Sequence, residues 1–343
     1  MLLLVIGACG EHPRFQMDAP GGDAVDAVRL TVDVSTTPNQ WVWVPFAGTT
    51  CANGTPAGIG INRAPTAGGD LFIYFEGGGA CWDTITCTNG AAVNLDVTYD
   101  AAKLATDVSG LVVDHASAPA PLDTTTYVFV PYCTGDLHDG TNVMAYPGGP
   151  TIHHTGGTNT QAFVDALAAG FHDAPELWVL GSSAGGYGAT LNFERFTKAW
   201  PNAKVELLED SSPFIPILVN YATLLTAWQL TLPPLCGTAC QSSFTSVFDA
   251  VVAGHPTSRI ALLTWDDDPV IKQYFAYTSS LVPVQADLIA NHFDHPNTKV
   301  FEATGMNHTM FGQLGTVTSH GVRLGDWVNE WLLDLPTWET VTP

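Results

Sequence analysis

The stretch LWVLGSSAGG, residues 177–186, decides how this chain folds. Its leading apolar residues predict a buried strand, and the small residues after them allow a sharp turn into a helix predicted over Ala184–Trp200. The turn contains the pattern G-x-S-x-G, which is typical of a reactive serine held between a strand and a helix. The central Ser183 is therefore the candidate nucleophile, because N–H groups at the start of the helix can stabilise a developing oxyanion. A plain Gly/Ser-rich turn is the alternative interpretation.

Short apolar runs alternate with helical patterns along most of the chain. Strands are predicted at Leu30–Val34, Trp41–Phe46, Leu71–Phe75, Tyr127–Pro131, Leu177–Leu180, Val205–Leu208, Ile260–Trp265 and Lys299–Glu302, and helices at Gln161–Phe171, Ala184–Trp200, Pro269–Tyr277 and Val322–Leu333. This alternation is typical of an α/β fold, a mainly parallel sheet flanked by helices. The proline-containing segment 211–256 interrupts the alternation and predicts a small cap insertion that bears a disulfide. We therefore predict a single domain over residues 29–343.

A serine nucleophile of this kind needs a base and an orienting acid, in the chain order Ser, then Asp or Glu, then His. His308 is the candidate base, because it lies in a loop a few residues beyond the last predicted strand. The stretch WDDDPV, residues 265–270, follows a strand and opens a helix, so its carboxylates can either cap that helix or face the base. We favour Asp268 as the acid, with Asp267 and Asp210 as alternatives.

The run YFEGGGACW, residues 74–82, follows an early strand, where the second half of an oxyanion-binding site is expected. Three consecutive glycines let backbone N–H groups approach a bound carbonyl without a Cβ in the way. A plain glycine-rich turn is the alternative. Glu76 is predicted to be a structural hydrogen-bond partner and not an acid catalyst.

The charge balance of the chain restricts its partners. Among 343 residues there are 11 Lys and Arg against 33 Asp and Glu, which gives a formal net charge of −22. A surface this acidic repels polyanions, so we exclude nucleic acid as a partner and favour a neutral substrate over a polyanionic one. Charged residues make up 13% and hydrophobic residues 46% of the chain, which excludes intrinsic disorder and indicates a large core. No cofactor is expected, because no G-x-G-x-x-G follows a strand and no Walker lysine is present.

The first nine residues, MLLLVIGAC, predict export. They form an apolar run that is too short to span a bilayer and that resembles the end of a secretory signal. The last four of them resemble a bacterial lipobox, in which Cys9 would carry a lipid that anchors the protein to a membrane. An ordinary signal peptide, or a start codon placed too late, is the alternative. Residues 1–28 are therefore interpreted as signal and tether, and the protein is expected in the periplasm, at a bacterial cell surface or outside the cell.

Six further cysteines predict disulfides, because an even number in an exported chain is typical of an oxidised framework. Cys81–Cys87 and Cys236–Cys240 are close enough in sequence to close small loops, which leaves Cys51–Cys133, although other pairings are open. A zinc site is the alternative, but the sequence has no CxxC pair or Cys/His cluster. His292 and His295 are interpreted as a solvated helix end and not as metal ligands.

Three motifs in this order resemble one family. The glycine loop followed by Cys81, then VFVPYCTGD at residues 128–136, then GSSAGGYGA at residues 181–189 resemble the pectin acetylesterase/Notum family of α/β-hydrolase-like carboxylesterases. The resemblance implies a secreted, disulfide-bonded, metal-independent serine esterase. Carried over by motif, the resemblance implies that Ser183 is the nucleophile, His308 the base and Asp268 the acid. It implies that the N–H groups of Gly77, Gly78 and Ala184 form the oxyanion hole. It also implies that Cys81 and Cys87 close a short disulfide loop.

The expected function is ester hydrolysis through a Ser-His-Asp triad and an acyl-enzyme. An acetyl ester of a polysaccharide is the first expectation for the substrate, and another small acyl ester, a lipid ester or a polyester are alternatives within the same chemistry. An amidase of the same fold and a catalytically inactive glycan-binding lipoprotein are the alternatives from other classes.

Overall fold

Eight strands form one sheet in the computed structural model, which describes residues 37–66, 69–109, 115, 118–217 and 221–343. The predicted strand Leu30–Val34, the interpreted signal and tether over residues 1–28, and the candidate lipidation site Cys9 lie outside the described residues.

The sheet is antiparallel at one end and parallel over the rest. Its order is β1-β2-β4-β3-β7-β8-β9-β10; β1 and β2 run antiparallel to their neighbours, and the strands from β4 onward in this order are parallel. The strands are β1 (Trp41–Thr50), β2 (Pro56–Asn62), β3 (Leu71–Phe75), β4 (Thr126–Val130), β5 (Asn142–Ala145), β6 (Thr151–His154), β7 (Glu176–Ser182), β8 (Lys204–Asp210), β9 (Ile260–Trp265), β10 (Thr298–Ala303), β11 (Thr318–Ser319) and β12 (Val322–Arg323). The α-helices are α1 (Thr84–Thr88), α2 (Ala101–Val108), α3 (Gly156–Gly170), α4 (Ala184–Ala199), α5 (Tyr221–Trp228), α6 (Thr245–Gly254), α7 (Pro269–Phe275), α8 (Val282–His292) and α9 (Leu324–Leu332).

This topology brings the loops that follow the parallel strands to one edge of the sheet. The glycine loop follows β3, Ser183 follows β7, the three adjacent aspartates follow β9, and the loop that carries His308 follows β10. Ligands of open α/β sheets bind outside the carboxyl ends of the strands. Residues that are far apart in sequence therefore surround one crevice.

The sequence pattern does not predict β2, because Gly58 and Gly60 are typical of turns and not of strands. In the structure β2 lies between β1 and β4. An ideal Cβ at Gly58 would lie 2.8 Å from the ring of Trp43, and one at Gly60 would lie 2.5 Å from the side chain of Leu104. These glycines therefore make room for large side chains that pack onto the sheet.

Three of the four predicted helices begin or end two or more residues from their predicted bounds. The helix predicted from residue 322 begins later, at Leu324, because the two preceding residues pair with β11 as β12. The helix predicted from residue 161 begins earlier, at Gly156, where a Cβ would lie 2.6 Å from the backbone of His138. The helix predicted to end at residue 277 ends at Phe275, because Ala276 has a left-handed φ of 61°.

Three disulfides confirm the prediction for the six cysteines: Cys51–Cys133, Cys81–Cys87 and Cys236–Cys240, with Cα separations of 5.0, 4.9 and 5.3 Å. The potential ligand atoms of Cys81, Cys87 and His154 lie within 4.8 Å of one another. Zinc binds thiolates, so these two bonded sulfurs do not fit a zinc site. The Cys236–Cys240 bond lies in the cap segment 211–256, between α5 and α6.

Aromatic side chains fill much of the core beside the sheet. Trp327 and Trp331 of α9 are buried, and the ring of Trp327 lies 5.8 Å from that of Phe301 on β10. Trp178 of β7 belongs to the same buried cluster. Within the described ranges, no helix combines the length and the apolar character that crossing a bilayer requires.

Candidate active site

Ser183 lies on the sharp turn between β7 and α4. It has a φ of 57° and a ψ of −125°, a positive-φ conformation that is strained for a residue with a Cβ. Its N–H donates to the backbone oxygen of Asp210 at 2.7 Å, which ties the turn to the end of β8. A Cβ at Gly181 would collide with the carbonyl oxygens of Gly185 and Phe75. The small residues of the motif are therefore needed for the tight approach of strand, turn and helix.

The glycine loop after β3 packs directly against this serine. An ideal Cβ at Gly77 would lie 2.5 Å from the carbonyl oxygen of Ser182 and 3.1 Å from the Cβ of Ser183, so a larger residue does not fit without a shift. The backbone N–H groups of Gly77, Gly78 and Ala184 have no hydrogen-bond acceptor among the described residues. Donors in this position can stabilise negative charge that develops beside the serine.

Glu76 supports the glycine loop from its first position. Its Oε2 accepts the N–H of Tyr132 at 2.7 Å and lies 3.3 Å from the hydroxyl of Tyr99, and the backbone N–H of Glu76 donates to the carbonyl oxygen of Val130 at 3.0 Å. Burial, with a contribution from the carboxylate of Asp107, raises the pKa of Glu76 to about 7. These contacts agree with a structural role for Glu76.

A hydrogen bond joins His308 to Asp268. The Nδ1 of His308 lies 2.7 Å from the Oδ2 of Asp268, whose side chain is fully buried. The other carboxylate oxygen accepts the N–H groups of Val270 and Ile271, at 2.9 and 3.1 Å, as the N-cap of α7. One carboxylate therefore caps a helix and orients the histidine, which leaves the Nε2 of His308 as the nitrogen that can exchange a proton.

Asp267, the first alternative acid, has different partners. Its Oδ1 accepts the N–H of Leu281 at 2.7 Å and lies 3.2 Å from the Nζ of Lys272. The hydrogen bond from Leu281, together with Lys272, lowers the pKa of Asp267. Its role in the structure is to tie α7 to the start of α8.

Asp210, the second alternative acid, anchors the loop that follows β10. Its carboxylate accepts the N–H of Met310 at 2.7 Å and that of Phe311 at 3.0 Å. The hydroxyls of Ser182 and Ser211 donate to it at 2.7 and 3.2 Å. Burial raises the pKa of Asp210, while the hydrogen bonds that it accepts oppose that rise. Asp210 thus anchors the loop that carries His308 through the residues that follow the histidine. Its contacts among the described residues include no bond to His308 itself.

Two cavities meet at Ser183. The first is a cleft of about 510 Å³, lined by Ser183 and His308 together with the three glycines of the loop, Tyr74 and Phe311. The second is a narrow pocket that shares Gly79, Ser183 and Tyr274 with the cleft. Its other walls are mainly apolar, and several come from the cap segment: Ile217, Leu224, Trp228, Leu230 and Phe244. The sequence does not predict this pocket, and its signal is the apolar and aromatic content of the segment between β8 and β9.

Asp107 places a carboxylate on the wall of the cleft. It pairs with Lys103 at 2.6 Å and accepts a hydrogen bond from the hydroxyl of Tyr99. Burial and the neighbouring carboxylates raise the pKa of Tyr99, so this hydroxyl keeps its proton and acts as a donor. These two contacts hold the carboxylate of Asp107 in position on one side of the cleft.

Comparisons with known proteins bear on the family and the fold. The profile of the family described as Pectinacetylesterase matches residues 37–223. Palmitoleoyl-protein carboxylesterase NOTUM from Drosophila melanogaster is 26% identical over 168 residues, which are 45% of this chain and 24% of that protein. The protein of the same name from Mus musculus is 26% identical over 179 residues, 48% of this chain and 34% of that protein. The matched stretch thus covers only about a quarter to a third of these relatives.

The fold has a counterpart among solved structures. The crystal structure of the Wnt deacylase Notum from Drosophila superimposes with a TM-score of 0.64 at 18% identity, over 88% of this chain and 95% of that chain. Together with the parallel sheet and its flanking helices, this match shows an α/β-hydrolase-like fold. Because the family profile matches more than half of its residues, the chain belongs to the pectinacetylesterase family.

Proposed function

We propose that this chain is a carboxylesterase in which Ser183 is the nucleophile, His308 the general base and Asp268 the orienting acid. The observation that carries the proposal is the 2.7 Å contact between His308 and the buried Asp268, on a histidine that lines the same cleft as Ser183. Membership of the pectinacetylesterase family supports ester hydrolysis as the reaction class.

The hydrogen bond at Nδ1 determines the direction of proton transfer. Because Asp268 holds that side of the ring, the Nε2 of His308 takes the proton from Ser183 as the serine oxygen attacks the ester carbonyl. The carbonyl oxygen becomes an oxyanion and accepts hydrogen bonds from the N–H groups of Gly77, Gly78 and Ala184. His308 then gives the proton to the leaving alcohol. A water molecule, deprotonated by His308, hydrolyses the acyl-enzyme in the same way.

The narrow pocket suits a short acyl chain. The centre of a water molecule can move over about 40 Å³ inside it. A single water needs about 10–15 Å³ by this measure, so the pocket holds about three waters, or an acyl chain of about as many carbon atoms beyond the carbonyl. The apolar wall from the cap favours such a chain over a polar group. The relatives are named for the much longer palmitoleoyl group.

The wider cleft suits the alcohol of the ester. His308 lines this cleft, as does Asp107, whose carboxylate is paired with Lys103. A net charge of −22 disfavours a polyanionic alcohol such as a pectin backbone. We therefore propose a neutral alcohol as the leaving group, such as a hydroxyl of an uncharged polysaccharide or of a small molecule.

Export is part of the proposal. Three disulfides form and persist in an oxidising compartment, as expected for a protein outside the cytosol. The apolar run before Cys9 and the lipobox-like residues add an N-terminal signal and an anchor to this proposal.

A series of p-nitrophenyl esters from acetate to palmitate tests the proposal. We expect the highest kcat/KM at about four carbons and a steep decline toward palmitate, because longer chains exceed the pocket. Ser183→Ala is expected to abolish turnover. Ser182→Ala is the matched control, since Ser182 donates to Asp210, and it is expected to retain measurable turnover.

The same series separates the alternatives. Equal rates for Ser183→Ala and the parent protein would refute the mechanism. A maximum at palmitate would refute the short acyl pocket while leaving the esterase in place. Faster hydrolysis of a p-nitroanilide than of the matching ester would identify an amidase, and binding of a glycan without any turnover would identify an inactive binding protein.

A further inference from the structure

A third cavity, of about 370 Å³, lies at the edge of the sheet formed by β10. One wall is a face of α8, whose side chains Val282, Ala286, Ile289 and Ala290 line it. Their spacing of three and four residues places them on one side of the helix. Val282 is 44% exposed, so this wall offers apolar surface to whatever enters the cavity.

Glu302 of β10 lines the same cavity and has no counter-charge. The residue is only 8% exposed, yet its carboxylate makes no hydrogen bond or ion pair with any described residue. Asp266, at the end of β9, also lines the cavity, and one of its oxygens accepts the N–H of Gly305 at 2.9 Å. Burial and the charge of Asp266 raise the pKa of Glu302 to about 7.

An unpaired carboxylate that is almost buried is costly unless it takes up a proton or a partner neutralises it. In the described part of the chain, no Lys or Arg pairs with Glu302 or Asp266. A cation from outside would therefore find two carboxyl groups at one end of the cavity and an aliphatic helix face beside them. Ca²⁺ and Mg²⁺ take six or more oxygen ligands, which a helix face of alanine, valine and isoleucine does not supply.

We propose that this cavity binds an alkylammonium ion, whose charged end donates hydrogen bonds to Glu302 and Asp266 and whose alkyl chain lies along Val282 and Ile289. The chemistry is the same for a free amine and for a lysine side chain of another protein. This site lies outside both cavities at Ser183, so the proposal is independent of the esterase.

NMR titration of the full chain tests the site without any measurement of turnover. The probes are n-butylammonium and Nα-acetyl-lysine amide, compared with ammonium and with Ca²⁺. We expect saturable shifts of the amides of Glu302, Gly305 and Ile289 with both alkylammonium probes. The Kd for butylammonium is expected to be about tenfold or more below that for ammonium, because the alkyl chain gains apolar contact.

Two variants separate the site from the general acidity of the protein. Glu302→Gln removes the unpaired charge and is expected to weaken butylammonium binding about tenfold or more. Asp287→Asn makes the same change of charge on an exposed residue of α8 that does not line the cavity, and is expected to leave the Kd unchanged. Circular dichroism checks that both variants are folded.

Butylammonium binding without lysine binding would support the site and restrict it to free amines, and binding of both probes would support either source. Equal weakening in the two variants would overturn the proposal, because it would indicate nonspecific attraction to an acidic surface. The proposal would also be overturned by absence of saturation, by equal affinity for ammonium and butylammonium, or by Ca²⁺ as the preferred ligand.

Discussion

The two buried aspartates at the sheet edge allow a direct test of how the site is organised. Asp268 bonds His308, whereas Asp210 holds the following loop through Met310 and Phe311. The test compares Asp268→Asn with Asp210→Asn, because both substitutions remove one buried negative charge and conserve shape.

The structure predicts opposite profiles for these variants. Asp268→Asn removes the partner that holds the Nδ1 proton of His308, and a loss in kcat of about 10⁴-fold is expected for a triad acid changed to its amide. Asp210 accepts four hydrogen bonds, and an amide with one acceptor oxygen keeps about half of them. Two lost bonds at about 1.5 kcal/mol each give about 3 kcal/mol of lost stability. For a chain of this size, that corresponds to a fall in Tm of about 4 °C.

The assay is p-nitrophenyl butyrate hydrolysis at pH 8, together with thermal unfolding of each variant. Asp268→Asn should keep most of its stability and lose nearly all turnover, whereas Asp210→Asn should lose stability and at most about 10²-fold in kcat. If Asp210→Asn lost turnover as completely as Asp268→Asn at a temperature where both are folded, the assignment of the acid would be wrong.

Three further predictions concern the glycine loop, the titration of Glu76 and the disulfides. Gly77→Ala should lower kcat by about 10²–10³-fold, because the added Cβ displaces an oxyanion donor. Gly315→Ala is the control and should leave kcat unchanged, because the space around its Cβ is open. Equal activities of the two variants would contradict the oxyanion assignment. The pKa of Glu76, raised to about 7, means that the folded state holds this proton more tightly than the unfolded state, so stability should fall as the pH rises from about 4 through 7. Glu76→Gln should flatten that fall in a Tm–pH series, and an unchanged slope would argue against this carboxyl. Replacing the Cys51–Cys133 pair by serines opens a loop with a sequence separation of 82 and should lower the free energy of unfolding in urea by about 4.5 kcal/mol. The same change at Cys81–Cys87, with a separation of 6, should lower it by about 2.4 kcal/mol. The reverse order would contradict a loop-entropy origin of the stabilisation.

The sequence predicts the crevice well because strand ends and motifs are local features. The apolar run before Ser183 and the small residues after it determine a strand, a turn and a helix without reference to distant residues. The parallel sheet then places every loop that follows a strand at the same edge. Ser183, His308 and the glycine loop could therefore be expected near one another before any coordinates were known.

The choice of acid depended on geometry that the sequence does not contain. Asp266, Asp267 and Asp268 are consecutive, so each points in a different direction from the same turn. Asp268 faces His308 because it caps α7, whereas Asp267 turns toward Lys272 and Asp266 toward Gly305. A helix N-cap could be anticipated here, but not that the cap residue would also reach a histidine forty residues later.

The sequence predicts neither the narrow pocket nor β2, again because local patterns do not contain the geometry that forms them. Both depend on packing between segments that are distant in the chain. Trp228 and Phe244 of the cap line a pocket with Ser183, although their positions in the sequence suggest only an apolar insertion. The glycines of β2 are strand residues because Trp43 and Leu104 occupy the space that their side chains would take.

The identity of the nucleophile is the central claim, and covalent labelling tests it most directly. The full chain is treated with a fluorophosphonate, digested and mapped by mass spectrometry, in parallel with Ser183→Ala and Ser182→Ala. We predict a single modified residue, Ser183, with labelling lost in Ser183→Ala and retained in Ser182→Ala. Label on another serine, or undiminished labelling of Ser183→Ala, would contradict the proposed mechanism.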